Sequence, residues 1–385
     1  MVSKTSANKK KTNRPAKTSK PSAQETAQSP ISAKHDDAVQ SPKEQQILLN
    51  IFSDAFAAVL SSDRFPTLLQ EIKQALYRRD FGSAFGTEEY LETYAARWSP
   101  TRALCYASIF LVIRQYMDEM PGHADDDDDD DDERGHTTKE ASSRASGPME
   151  PDQGADGEAS ESENPRPRLR MLCIGGCAAE HVAFASHLRT TNRRGSLRLL
   201  DSGPWAHVAS LLQNSVTTAP PLSKYASASI KASNKPLLGT DQLDAAFTQA
   251  DVLDLAEDKL AEVVGSRAQV VTLFFTLNEL YTDGGLGKTT RFLRALGKVL
   301  PTDSLLLVVD SPGSYSEAAV GKEKKRYPMQ WLLNHTLLES KTPEYMWERL
   351  DSHDSIWFRI PEGLIYPIQL ENMRYQMHLY RIHKT

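Results

Sequence analysis

The segment from Leu169 to Glu180 constrains the fold of this chain more than any other part of its sequence. An apolar run, Leu169–Ile174, leads directly into Gly175 and Gly176, and a helix-like pattern follows. A second apolar run then ends in an acid, Asp201. A strand, a glycine turn, a helix and a strand ending in an acid are typical of the first unit of a doubly wound sheet, where ligands approach the backbone at the turn. We therefore predict an α/β fold with a Rossmann-like sheet.

The alternation of strands and helices continues along the chain after this unit. We predict five parallel strands, over Leu169–Ile174, Leu197–Leu200, Ala250–Val252, Gln269–Thr276 and Ser304–Val309. Helices are predicted near residues 179–189, 204–213, 255–264, 288–300, 328–339 and 343–350. Two late strands, around Ser355–Arg359 and over Tyr375–Ile382, are predicted to close an antiparallel edge on the sheet.

Composition and charge divide the chain into four parts. Residues 1–42 form a basic, apolar-poor tail that is either solvated or a nuclear address or RNA-touching arm. Residues 43–120 show helical periodicity and predict a small helical domain or a lid, and 121–167 form a disordered acidic linker. Residues 168–385 form the α/β domain, with a flexible surface insertion at 214–239.

Composition also excludes several classes of protein. The 3 cysteines of the chain form neither a disulfide framework nor a zinc-site spacing, which fits a reducing intracellular compartment. The sequence contains no apolar run long enough to predict a membrane span. We do not expect Asp125–Asp132 to bind a metal ion, because nothing rigid would arrange these carboxylates.

The ends of the first two predicted strands carry candidate cofactor ligands. Gly175, Gly176 and Cys177 form a turn without the dinucleotide G-x-G-x-x-G spacing or a phosphate-loop lysine. This turn suits the amino-acid end of a cofactor such as S-adenosylmethionine (SAM). Asp201 is placed to accept both ribose hydroxyls, although it could instead cap the next helix.

The third and fourth strand ends extend this pattern. Asp251 is placed to receive an adenine amino group and Val252 to pack on the ring, with helix capping as the alternative for Asp251. The fourth strand ends in the polar residues Thr276, Asn278 and Glu279. In doubly wound folds this position faces the group that reacts, although Glu279 alone could be an ordinary surface residue.

Five sequence blocks resemble a known enzyme family: Cys173–Glu180, Leu200–Trp205, Phe274–Tyr281, Val309–Ser314 and Trp357–Tyr375. Outside the inserts, the chain from about residue 43 onward resembles the fungal 25S rRNA uridine-N3-methyltransferases, which have the class I SAM-dependent fold. The resemblance implies SAM-dependent methylation of a uridine in large-subunit rRNA during ribosome biogenesis. It also implies a nuclear or nucleolar location, with the cytoplasm as the alternative, and pre-ribosomal large subunits as the partner. We expect no metal cofactor, and we take a monomer as the working oligomeric state.

The chemistry of uridine N3 suggests roles for individual residues. Glu279 is the candidate to assist loss of the N3 proton, and Asn278 is the candidate to hydrogen-bond a uracil carbonyl. Tyr281 and Tyr315 are candidates for stacking on the base. The fourth strand end lacks a cysteine nucleophile, which favours direct transfer to a flipped base. The cluster Lys322–Arg326 could meet phosphates or form a solvated loop.

Other functions remain open at this level. The chain could be a methyltransferase-fold assembly factor without activity, or a methyltransferase acting on a non-RNA substrate. A nicotinamide-dependent oxidoreductase is disfavoured by the missing phosphate-binding glycine spacing. Selective binding of SAM over NAD would separate the first two functions from the third.

Overall fold

The computed structural model describes residues 40–121, 167–313, 315–320, 323–339 and 342–385, and for 315–320 and 323–326 it describes the backbone alone. Most of the predicted basic tail (residues 1–39) and of the acidic linker (122–166) lies outside the described residues. The same holds for Lys322, for the side chains of the rest of its basic cluster and for the side chain of Tyr315.

A seven-stranded sheet forms the centre of the described chain. Its strands are β1 (Leu169–Ile174), β2 (Gly195–Asp201), β3 (Leu243–Gln249), β4 (Val270–Phe274), β5 (Leu305–Asp310), β8 (Tyr345–Phe358) and β9 (Met373–Lys384). Their order is β3-β2-β1-β4-β5-β9-β8, and β1 to β5 run parallel. β9 runs antiparallel to both β5 and β8, so the predicted α/β sheet with a late antiparallel edge is confirmed. β6 (Tyr315–Val320) and β7 (Glu323–Pro328) form a separate antiparallel hairpin.

Helices precede the sheet and connect its strands. The N-terminal helices are α1 (Pro42–Ala55), α2 (Ala57–Leu60), α3 (Phe65–Tyr77), α4 (Phe81–Phe85), α5 (Glu88–Val112) and α6 (Arg114–Asp118). The later helices are α7 (Ala179–Thr191), α8 (Ala206–Thr217), α9 (Ala228–Ser233), α10 (Glu257–Val264), α11 (Leu277–Asp283), α12 (Gly285–Val299) and α13 (Met329–Asn334). A π-helical turn, His335–Glu339, extends α13. Within the described ranges, no helix is both long and apolar enough to cross a membrane.

The sheet separates two hydrophobic cores, because successive side chains of a strand point to opposite faces. In β1, Met171 and Cys173 pack into the first core, whereas Leu172 and Ile174 pack into the second. The first core also contains the buried faces of α1, α5, α7 and α8, and the second contains those of α10 to α13. The N-terminal helices therefore share a core with the sheet, and this packing brings α4 and α5 over its carboxyl edge.

A proline inside α5 links these helices to the C-terminal part of the chain. Pro100 has no N–H, so the carbonyl of Ala96 loses its usual partner within the helix. The Tyr366 hydroxyl donates a hydrogen bond of 2.7 Å to that carbonyl. Gln46 of α1 completes the link, since its side chain exchanges two hydrogen bonds with the backbone of Ile365, at 2.8 and 2.9 Å. These contacts bind the segment before β9 to the N-terminal layer.

The third strand does not lie where the sequence predicted it. β3 is Leu243–Gln249, and the predicted strand Ala250–Val252 is the loop that follows it. β3 is an edge strand that is only partly buried, so its apolar signal is weak and the prediction shifted toward the next apolar residues. The insertion before it contains the end of α8 and the six-residue helix α9, and residues 220–235 are largely exposed.

The helix predicted near residues 343–350 is also wrong, because these residues lie mostly in the strand β8. Tyr345 and Trp347 are buried, whereas Met346 and Glu348 are exposed, so burial alternates with the period of a strand. Backbone pairing with β9 along most of the strand outweighs the local helical preference. The predicted helix near 328–339 corresponds to α13 with its π-helical extension.

Candidate active site

A cavity of about 610 Å³ lies at the carboxyl edge of β1, β2 and β4, beneath the N-terminal helices α4 and α5. In doubly wound sheets ligands bind at this edge, near the point where the strand order reverses. Most of the predicted site residues line the cavity: Gly175, Gly176, Cys177, Asp201, Asp251, Val252, Thr276 and Glu279. The structure therefore brings together residues from four successive strand ends.

The Gly-Gly turn gives the ligand access to the backbone. Gly175 has φ of +74°, and its N–H donates a hydrogen bond of 2.9 Å to the carbonyl of Leu200. The Thr276 hydroxyl donates to the Gly175 carbonyl at 3.0 Å, which ties the turn to the end of β4. A Cβ at Gly175 would lie 2.2 Å from the Thr276 side chain, and one at Gly176 would lie 2.4 Å from the Glu180 carboxylate. Gly175 is therefore required by its backbone conformation and by the packing of Thr276, whereas a side chain at Gly176 would displace the Glu180 carboxylate.

Replacing Gly175 by alanine is expected to destabilise the protein and weaken cofactor binding. Alanine would adopt a left-handed backbone conformation and would also displace Thr276. We expect the free energy of unfolding, measured by denaturant titration, to fall by about 2 kcal/mol.

The matched control is Gly287→Ala, inside α12. A Cβ at Gly287 would meet no atom within 4 Å, and its φ is not positive. This variant is expected to be as stable as the wild type or slightly more stable, since alanine is the better helix former. Equal stability of the two variants would contradict the requirement at Gly175.

Asp201 organises the loop after β2. Its Oδ1 accepts a hydrogen bond of 2.7 Å from the Gly203 N–H, so its nearest hydrogen-bond contact is within its own loop. Burial raises its pKa to about 6, although the Gly203 N–H and the Trp205 indole favour the ionised form. A carboxylate that its loop already orients has its remaining lone pairs available for a ligand in the cavity.

Asp251 and Val252 reach the cavity from the loop after β3. Asp251 is exposed, and its Oδ1 accepts a hydrogen bond of 2.9 Å from the Leu253 N–H. Val252 is 6% exposed and belongs to the second core. Although the third strand was predicted at the wrong residues, Asp251 and Val252 still lie next to the carboxyl end of β3.

A glutamate with a strongly raised pKa follows the end of β4. Glu279 lies in the first turn of α11, and burial raises its pKa to about 8. The Arg102 guanidinium opposes this rise, whereas Asp310, Asp201 and Asp283 add to it. A cavity acid with a pKa near neutrality is a candidate for proton transfer.

Asn278 and Tyr281 do not line the cavity. Glu279, Leu280 and Asp283 share the cavity face of α11, whereas Tyr281 is 2% exposed and packs into the second core. The Asn278 N–H donates to Asp310 at 3.1 Å, an interaction that fixes the start of α11. The helical rotation separates these two residues from Glu279, and we leave both out of the proposed site.

Two charged residues that the sequence reasoning missed face the cavity. Glu180 is 4% exposed, and burial raises its pKa to about 7 despite the nearby N–H groups of Ala178 and Glu180 itself. Arg102 comes from α5, and its guanidinium lies 4.7 Å from the ring centroid of Phe275 and 5.3 Å from that of Tyr94. An arginine directly before the apolar run Ala103–Val112 of α5 was the available signal, but its distance in sequence from the Gly-Gly turn concealed it.

Aromatic side chains from three segments roof the cavity. Tyr94 of α5 lies 5.0 Å from Phe85 of α4 and 6.2 Å from Trp205 of the loop after β2, measured between ring centroids. Phe275 has φ of +58°, a strained value for a residue other than glycine, and holds its ring beneath Arg102. The N-terminal helices thus complete the site and do not merely cover it.

Cys177 and the remaining acids define what the cavity can do chemically. The Cys177 thiol is 1% exposed, and burial raises its pKa, so the thiol stays neutral and is a weak nucleophile. Among the described residues, no group of three or more His, Cys, Asp or Glu side chains could hold a metal ion. Five carboxyl groups line the cavity, those of Glu180, Asp201, Asp251, Glu279 and Asp283, against the guanidinium of Arg102, so the lining favours a cationic ligand.

Comparison with known proteins identifies the family. Residues 52–381 match a family model described as "Putative SAM-dependent methyltransferase". The chain belongs to this family. Its cofactor is therefore SAM, and the residues present fit this cofactor. The glycine turn leaves the backbone open to the ligand, and the acidic lining complements the positive sulfonium.

Individual proteins extend the comparison. The chain is 27% identical over 325 residues to a Saccharomyces cerevisiae protein named 25S rRNA (uridine(2843)-N(3))-methyltransferase, covering 81% of this chain and 76% of the yeast protein. A solved CMeT domain of citrinin polyketide synthase is 10% identical with a TM-score of 0.36, covering 90% of this chain and 94% of that domain. A SAM-dependent methyltransferase from Methanosarcina mazei is 7% identical with a TM-score of 0.30, covering 56% and 92% respectively.

Proposed function

We propose that this methyltransferase methylates N3 of a uridine in large-subunit rRNA. The raised pKa of Glu279 and its position in the cavity carry the proposal, because N3 of uridine becomes nucleophilic only when its proton leaves. A carboxyl group of raised pKa stands at the strand end that faces the reacting group in doubly wound folds. The activity in the name of the yeast relative supports the same substrate.

The cavity offers complementary groups for each part of the cofactor. Asp201 would accept the ribose hydroxyls, and Asp251 and Val252 would bind the adenine. Glu180 and Arg102 carry opposite charges above the Gly-Gly turn, and we assign them to the α-ammonium and α-carboxylate of the methionine end. Thr276 would hold the turn in place through its bond to the Gly175 carbonyl.

The reaction requires little covalent chemistry from the protein. When bound, SAM supplies an electrophilic methyl group on a positively charged sulfur. Glu279 would take the proton from uridine N3 and so leave the nitrogen with the electron pair that makes it nucleophilic. The aromatic roof and α4 exclude water and hold the two reactants in line, which supplies most of the acceleration.

The setting of the reaction follows from its substrate. We propose that the protein acts on pre-ribosomal large subunits in the nucleus or nucleolus, as a monomer. RNA methylation there needs a base flipped out of its stack, and the enclosed cavity provides a place for it.

Transfer of a labelled methyl group tests the substrate class. The full chain would be incubated with isotopically labelled SAM and, separately, with large-subunit rRNA, small-subunit rRNA and a total protein extract. The proposal predicts label in large-subunit rRNA alone. Label in protein would instead indicate a non-RNA substrate, and SAM binding without any transfer would indicate an inactive assembly factor.

Replacing Asp201 by asparagine is expected to weaken SAM binding about 30-fold, measured by isothermal titration calorimetry. The amide can still accept the Gly203 N–H but loses the charged fork for the ribose hydroxyls. Asp241→Asn is the matched control, because Asp241 pairs with Arg194 on the exposed surface. Unchanged affinity in the Asp201 variant would refute its assignment to the ribose.

A further inference from the structure

The mouth of the cavity lies between α4 and α11. Gly82 of α4 and Asp283 of α11 are both exposed and both line the cavity. The Arg79 guanidinium, from the turn between α3 and α4, donates to the Thr282 hydroxyl at 3.5 Å and so bridges the two sides. Asp80 and Asp251 both contribute to a raised pKa of Asp283, whose largest cause is burial, which places these acids around the same opening.

The end of α3 and the turn after it, next to this mouth, are basic and carry an exposed aromatic ring. We call Lys73, Tyr77, Arg78 and Arg79 the basic lip. Tyr77 is 91% exposed, and the other three side chains are exposed too. None of the three cations forms an ion pair with a carboxylate in the described part of the chain. Asp80, the nearby acid, accepts hydrogen bonds from the Ser83 N–H and hydroxyl at 3.1 and 2.7 Å, and these bonds together with the charge of Arg78 lower its pKa.

The opposite side of the mouth has the opposite charge. Asp251, Asp254 and Asp283 lie on it, and only Asp254 has a cationic partner, Lys288 at 2.9 Å, in the described part of the chain. A polyanion approaching the cavity would therefore be attracted to the basic lip and repelled from the opposite side. This asymmetry gives the bound strand a defined path.

Backbone geometry supports a specific role for the turn. Arg79 has φ of +57°, a conformation that glycine or asparagine normally supplies after a helix. The N–H groups of Arg79 and Asp80 donate to the carbonyls of Leu76 and Ala75 at 3.0 and 2.9 Å, so this turn closes α3 and fixes the Arg79 backbone beside the mouth. The exposed tyrosine one turn from Lys73 adds a flat surface suited to a nucleobase.

We propose that the basic lip binds single-stranded RNA next to the nucleotide that enters the cavity. The arginines contact phosphates, and Tyr77 stacks on a neighbouring base. This inference rests on the proposed function, since it names the surface that delivers the RNA substrate to the same site. It makes the N-terminal helices part of substrate recognition as well as of the cofactor site.

RNA binding by the full chain tests the proposal. The probe is a fluorescein-labelled single-stranded fragment of large-subunit rRNA, and anisotropy is recorded at several salt concentrations. Arg78→Ala and Arg79→Ala are each expected to raise Kd about fivefold and to reduce the salt slope by about one. Tyr77→Ala is expected to raise Kd about tenfold with an unchanged slope. The triple variant Tyr77→Ala/Arg78→Ala/Arg79→Ala is expected to lose at least 100-fold in affinity for the RNA, while its affinity for SAM stays constant.

Two controls separate binding from folding. Thr282→Val removes the acceptor of Arg79 but no charge, and Lys231→Ala/Lys235→Ala removes two cations from the exposed insertion; both are expected to bind RNA within twofold of wild type. The proposal is overturned if the triple variant binds as wild type does, if the lysine control loses as much affinity, or if wild type does not bind the RNA. Methyl transfer is measured in parallel: binding through the lip without transfer contradicts the proposed function but supports the lip.

Discussion

Glu279→Gln is expected to lower kcat by two to three orders of magnitude while leaving SAM affinity within about threefold of wild type. Glutamine keeps the shape and the hydrogen-bonding reach of the side chain but cannot accept the N3 proton, and general bases typically contribute factors of this size. Single-turnover measurements with saturating RNA and SAM would report the chemical step directly. Turnover within a factor of a few of wild type would exclude Glu279 as the base.

The pH dependence gives a second, independent signature of Glu279. With its pKa at about 8, only about one tenth of the free enzyme carries the ionised carboxylate at pH 7. We expect kcat/KM to rise with pH up to about 8 and then to level, because this parameter reports the free enzyme. The rise in kcat should lie at lower pH, because the positive sulfonium favours the carboxylate in the complex. The rise of kcat/KM with pH and the rise of kcat with pH should both disappear in Glu279→Gln.

Stability distinguishes this loss of activity from unfolding. The pKa of Glu279 lies above its ordinary value of 4.5, so the folded protein binds more protons than the unfolded chain between pH 4.5 and about 8. The free energy of unfolding therefore falls as pH rises through that window. Glu279→Gln removes this contribution and should be more stable than the wild type at pH 8, by about 4 kcal/mol, with no gain near pH 4.5.

Arg102→Ala is expected to weaken SAM binding about 100-fold. The guanidinium is the cation that lines the cavity together with its carboxyl groups, so its removal takes away the partner assigned to the cofactor carboxylate and leaves the negative charge uncompensated. Arg102→Lys retains the positive charge but not the planar guanidinium. Its affinity for SAM should therefore lie between those of the wild type and Arg102→Ala. Calorimetric titration of all three proteins would measure the series.

Binding of a ligand without the carboxylate shows whether Arg102 recognises that group or supports the cavity as a whole. 5′-Methylthioadenosine lacks the amino-acid end of SAM but keeps the adenosine. If Arg102 binds the carboxylate, Arg102→Ala should bind this ligand within threefold of wild type. Equal losses for both ligands would show that Arg102 acts by supporting the aromatic roof around Tyr94 and Phe275.

The sequence predicts best what is local and periodic. Strand β1 and its glycine turn were predictable because a continuous apolar run and two glycines admit few other structures. Asp201 was predictable for the same reason, since it ends the next apolar run. The edge strand β3 and the strand β8 were misassigned because pairing with a distant neighbour, and not local pattern, decides their structure.

The cavity itself depends on long-range contacts. Arg102 and Tyr94 reach Glu180 and Glu279 only because α5 packs across the face of the sheet, and no spacing along the chain indicates that contact. The distinction between Glu279 and Tyr281 needed the starting residue of α11, since a helix rotates neighbouring side chains to different faces. Sequence alone thus located the strand ends, and the packing selected which residues face the ligand.

The position of the transferred methyl group on the RNA is the most direct test of the proposed reaction. Large-subunit rRNA would be treated with the full chain and deuterium-labelled SAM, digested to nucleosides and separated by liquid chromatography with mass detection, with Glu279→Gln as the parallel reaction. We predict labelled 3-methyluridine from the wild type, reduced at least 100-fold in the variant. Label on C5 of uridine, on a ribose hydroxyl or on another base would contradict it.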